Sequence, residues 1–148
     1  MSSHPEACSN ETSVPSAVLS GPYKAMEVPD EILELRHVVQ LKAMRLPGRP
    51  SLFVELSAIF RREAPERMLK IGEAMARRDS EQLAKYAHAM VGSLATLGAR
   101  RMQKAARALE QASLSADWES ISPAHLLLLE CWGELDQAFE QHSREEAP

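Results

Sequence analysis

His88 stands in a run of small and apolar residues, His88-Ala89-Met90-Val91-Gly92-Ser93-Leu94-Ala95-Thr96-Leu97-Gly98-Ala99. Histidine titrates with an ordinary pKa of about 6.5, so at pH 7 it is largely neutral and offers a free ring nitrogen as a nucleophile. Gly92 follows four positions later, and on a helix those two positions share a face one turn apart. A glycine inside a helix costs about 1 kcal/mol relative to alanine. The pair therefore predicts that something must come very close to the imidazole. Lys85, three positions before His88, falls on the same face and offers a cation. Taken singly, each residue has a plainer reading: a surface histidine, a packing glycine, a solvated lysine. The combination gives them weight.

Holding such a face in place requires helices, and the chain carries their periodicity. Residues 1–27 are rich in Ser, Pro and Glu without periodicity, which predicts a disordered N-terminal tail, with at most a helical turn near Tyr23–Met26. A first helix opens near Pro29-Asp30, carries Ile32, Leu35, Val39 and Leu46 as an apolar stripe widened by Val38 and Ala43, and stops at Pro47-Gly48. The next runs from about 50 to 78 as one helix kinked at Pro65, with two separate helices as the alternative. Leu52, Phe53, Leu56, Ile59 and Phe60 form its first stripe, and Met68, Leu69, Ile71, Gly72 and Met75 its second.

Asp79 is the expected N-cap of the histidine helix, with Gln82 three residues on. Leu83, Ala87, Met90, Leu94 and Leu97 make its buried stripe. That leaves Glu81, Lys85, His88 and Gly92 toward solvent, with Val91 at the margin. Gly98 suits a left-handed C-terminal residue. A fourth helix over 99–114 buries Met102, Ala105, Ala106 and Leu109. After a polar connection, Ser122-Pro123 opens a last helix with Leu128, Trp132, Leu135 and Phe139 as its stripe, fraying from about Ser143. The reading is all-α: an antiparallel up-down four-helix bundle with a short additional N-terminal helix. Its domain spans 28–143, with residues 144–148 frayed.

Composition narrows the function. One domain of 148 residues with 45% hydrophobic and 26% charged residues is a soluble globular protein. The net charge of −4 argues against a nucleic-acid binder that works by neutralising phosphates. No apolar run reaches the length of a bilayer span, and the N-terminus lacks the features of a signal peptide. Cys8 and Cys131 read as free thiols in a reducing cytosol. His4, His37, His125 and His142 show no ligand spacing with each other or with the cysteines, so no metal is assigned. There is no glycine-rich phosphate loop for ATP and no local nucleophile–base arrangement of a hydrolase. The paired arginines Arg61-Arg62, Arg77-Arg78 and Arg100-Arg101 read as solvated faces, one of which can meet an acidic partner.

The stretch resembles the signature of histidine-containing phosphotransfer (Hpt) domains, in which Leu-Lys-Gly-Ser and then Leu-Gly-Ala follow the histidine. Met90, Gly92, Ser93, Leu97, Gly98 and Ala99 fit around His88, and Val91 departs from the pattern by replacing the lysine. The similarity extends over roughly 29–142. It implies a phosphocarrier in a two-component phosphorelay, without kinase activity of its own, relaying phosphoryl groups between receiver-domain aspartates. On that resemblance His88 is the phospho-acceptor, Gly92 lets the group approach, and Ser93 or backbone groups orient the ring. Lys85 supplies part of the charge that Val91 lacks. The chain itself needs no cofactor, because the receiver brings the Mg²⁺. The partner is the receiver domain of a response regulator or hybrid histidine kinase, and the protein is expected to be a cytoplasmic monomer. The competing reading is a non-transferring adaptor that keeps the bundle and sequesters a receiver or kinase.

Overall fold

Two polar side chains set the starts of the central helices. The Ser51 hydroxyl accepts from the Val54 N–H at 3.2 Å, and the Asp79 carboxylate accepts from the Gln82 N–H at 3.1 Å. Each satisfies a backbone donor that the first turn leaves unpaired. The computed structural model describes residues 31–146 and is all-helical over that range. It contains α1 (Leu35–Ala43), α2 (Leu52–Arg77), α3 (Ser80–Leu97), α4 (Arg100–Leu114) and α5 (Trp118–Glu146). The expected tail over 1–27 lies outside the described residues, and the first helix spans Leu35–Ala43 rather than opening near Pro29-Asp30 and running on to Pro47-Gly48. None of the described helices is long and apolar enough to cross a membrane.

The helices touch in sequence order from α1 to α5, and α2 also meets α5, so α2 to α5 close a ring around one core. Phe53, Ile71, Leu83, Met90, Leu94, Met102, Leu109, Leu128, Leu135 and Phe139 are fully buried within it. Pairs along α2 and α5 run in opposite senses: Ser51 meets Glu146, Phe53 meets Phe139, and Phe60 meets Trp132.

The second helix is continuous through Pro65, since losing one backbone donor does not end a segment whose flanking turns are buried. Gly98 ends α3 with φ +72°, as its type predicts.

Several expectations change. Ile59 and Leu69, read as part of the stripes of α2, are exposed, because the helix turns Ser57, Phe60, Ala64, Met68 and Ile71 inward instead. Leu35, Val39 and Leu46 are 63%, 57% and 63% exposed, while Val38 and Leu41 face the core. The Glu34 N–H donates to the Gly98 carbonyl at 2.8 Å, and His37 Nε2 donates to the Thr96 carbonyl at 2.7 Å. These anchors set the rotation of α1 and turn Leu35 and Val39 outward, while Leu46 lies beyond the end of the helix. The last helix begins at Trp118 rather than Ser122, because the Asp117 carbonyl already accepts from the Ser120 and Ile121 N–H groups. At the other end it runs through to Glu146 instead of fraying at 144: the Glu146 carboxylate accepts from the Ser51 hydroxyl and Lys42 pairs with Glu145.

Candidate functional site

Helix α3 buries Leu83, Ala84, Ala87, Met90, Leu94 and Leu97, and this phase turns Lys85, His88, Ala89 and Gly92 outward. The His88 side chain is 74% exposed. Its Nδ1 lies 2.7 Å from Glu110 Oε2 on α4. A carboxylate only accepts hydrogen bonds, so Nδ1 carries a proton, and in the neutral ring the lone pair falls on Nε2. The same bond restrains the ring about its own axis. Glu110 is half-buried, which makes it a fixed partner rather than a wandering surface acid.

Gly92 sits one turn beyond, and a methyl group added there meets no atom within 4 Å. The space over the backbone at this point is open. Val91 is partly buried and packs against the core, so the chain has no cation at that place. Lys85 is exposed and lines, with Ser80, Glu81, Ala84, Glu110 and Leu114, a groove that also contains His88.

Ser93 is not where the ring needs it. Five residues from His88, it lies roughly 140° around the helix and faces α2, where its hydroxyl accepts from Arg67 at 3.2 Å. Glu110 therefore orients the imidazole, and Ser93 helps to join α3 to α2. Nothing in the sequence marks Glu110 among the many glutamates. It becomes visible only when α3 and α4 are laid side by side.

The paired arginines are largely engaged within the fold. Arg61 binds Asp136 and Glu140, Arg100 binds Glu34, Arg101 binds Glu134, and Arg78 lies over the Trp118 ring at 4.4 Å. Among the described residues the one cysteine, Cys131, is a buried free thiol, and burial pushes its pKa up to about 11. Among the described residues no cluster of three His, Cys, Asp or Glu side chains is placed to hold a metal ion.

An exposed imidazole with a carboxylate on one ring nitrogen, a bare turn beside it and no metal cluster can accept and release a small group from a partner. The groove beside it is open to solvent. Comparison with curated proteins and with solved structures found no match. Residues 55–145, more than half of the chain, match the family model of the Hpt domain. This chain belongs to the Hpt domain family, whose members carry out histidine phosphotransfer in two-component phosphorelays.

Proposed function

We propose that His88 is the phospho-acceptor and that the partner is the receiver domain of a response regulator or hybrid kinase. The observation that supports this best is the bond from Nδ1 to Glu110, which leaves Nε2 as the free nitrogen of an exposed ring. In the forward step Nε2 attacks the phosphorus of an aspartyl phosphate. The N–P bond forms, the P–O bond to the aspartate breaks, and the aspartate leaves as a carboxylate. The ring then carries a positive charge with its proton still on Nδ1, and the Glu110 carboxylate offsets that charge. Passing the group to a second receiver reverses these events. Phosphoryl transfer depends chiefly on position and charge neutralisation, so the receiver supplies Mg²⁺ and this chain supplies a restrained nucleophile. Gly92 leaves room for the phosphoryl group, and Lys85 adds positive charge from the preceding turn.

The test is incubation of the full chain with receiver domains charged by acetyl phosphate, followed by assay for acid-labile, base-stable label. His88→Gln is expected to abolish labelling while changing stability by no more than about 0.5 kcal/mol, because the position is exposed. Glu110→Ala is expected to slow labelling without abolishing it. Undiminished labelling of the His88 variant excludes the assignment. Tight receiver binding without label on the parent chain favours the adaptor reading, which rests on the valine at position 91.

A further inference from the structure

Val91 leaves the histidine helix short of charge where the phosphoryl group would sit. Lys85 is the only cation between Ser80 and Leu97. It lies on the N-terminal side of His88, in the groove that also contains Glu81 and Glu110. The open space lies on the other side, at Gly92. Glu110 sharpens the need: a carboxylate 2.7 Å from the ring repels phosphoryl oxygens as they arrive.

Helix α4 carries cations along the flank that borders α3. Arg107 is three residues before Glu110 and so shares its face, one turn or about 5 Å along the axis. Because Glu110 meets His88, and Ala95 and Gly98 border the same groove as Arg107 and Lys104, Arg107 falls in register with Gly92. Its side chain is exposed. Its neighbours Arg100 and Arg101 are committed to Glu34 and Glu134, whereas no carboxylate among the described residues pairs with Arg107. Lys104 is a further turn away. A planar guanidinium can bind two phosphoryl oxygens at once, and an exposed one can swing over a residue that has no side chain.

Resting on the reading of His88 as acceptor, we propose that Arg107 reaches across Gly92 to bind the phosphoryl oxygens during transfer. It thereby supplies from α4 the charge that position 91 lacks. The covalent step is unchanged: the N–P bond forms as the aspartyl P–O bond breaks, and Arg107 neutralises oxygen charge without exchanging a proton.

The experiment measures transfer rates on the full chain, using whichever receiver domain, charged with acetyl phosphate, labels the parent fastest. Arg107→Ala is expected to slow labelling about tenfold, as expected for losing one close charge pair at the transition state, with unchanged helical CD. Arg107→Lys should retain part of the rate. Val91→Lys placed in the Arg107→Ala chain should restore most of it, and Arg144→Ala, which removes the same charge far from His88, should have no effect. An Arg107→Ala chain that transfers at the parent rate overturns the inference while leaving His88 labelling intact. Equal slowing by Arg144→Ala, or failure of Val91→Lys to rescue, overturns it in favour of general charge steering. If no receiver labels the parent chain, the acceptor reading itself fails, and this inference with it.

Discussion

The seam between α2 and α5 and the groove between α3 and α4 each hold a histidine beside charged residues and treat it in opposite ways. In the seam, Phe53, Phe60, Phe139 and Trp132 pack edge to face with centroids 5.7–6.2 Å apart. The charges there are paired with one another: Arg61 holds Asp136 at 2.8 Å and Glu140 at 2.9 Å. His142 meets the Phe53 ring edge to face and accepts from Lys42 at 3.0 Å. Burial, and then the neighbouring Lys42 charge, hold its pKa below the ordinary histidine value. In the groove, His88 has one partner and an open flank. A histidine packed among aromatic and cationic neighbours is a structural element, whereas one held by a single bond keeps its chemistry available. The histidine of the seam is committed to packing, and the histidine of the groove is left open on one flank.

That division is open to test. The largest effect on stability is expected in the seam. Phe139→Ala removes a fully buried ring and should destabilise the fold by about 3–5 kcal/mol in urea unfolding. Any of it that still folds at low temperature should accept phosphate at the parent rate. Loss of transfer in folded protein would show that the two sides are coupled.

The two glycines of α3 offer a smaller and sharper test. At Gly98 an added Cβ would lie 2.9 Å from three atoms of His37, on a backbone with φ +72°. Gly98→Ala should therefore lose more than about 1 kcal/mol. Gly92→Ala meets nothing and should gain up to about 1 kcal/mol from helix propensity. Gly92→Gln should fold equally well yet accept phosphate poorly. Thermal melts and labelling rates on the three variants decide it, and a destabilised Gly92→Ala chain would place that position inside the core.

The smallest effect is a pH dependence that belongs to the seam. The folded pKa of His142 lies below its unfolded value of about 6.5, and burial lowers that of His125 as well. Below pH 6.5 the unfolded chain takes up protons that the folded chain refuses, so stability should fall from there until the folded groups also titrate. Melting temperatures between pH 7.5 and 5 should show this decline, and His142→Gln should flatten part of it. A His142 variant with the parent's slope would mean that the seam does not hold that ring neutral.

Much of this was legible in the residues alone. The phase of α3 follows from Leu83, Ala87, Met90, Leu94 and Leu97, because a helix with one continuous apolar stripe has a single way to bury it. The same phase turns His88 and Gly92 to the solvent. Asp79 and Gly98 mark the ends of α3 through local hydrogen bonding and backbone conformation, which need no tertiary partner. The rotation of α1 was not legible. Its nine residues are too few for the stripe to decide, and contacts at Gly98 and Thr96, some 60 positions away in sequence, set which side faces inward. Glu110 and Arg107 escape notice for the same reason. On α4 they are two charges among many, and they acquire meaning only from the register in which α4 lies against α3. Local sequence determined the helices, their caps and the outward face of the histidine. Packing between helices decided which carboxylate holds the ring.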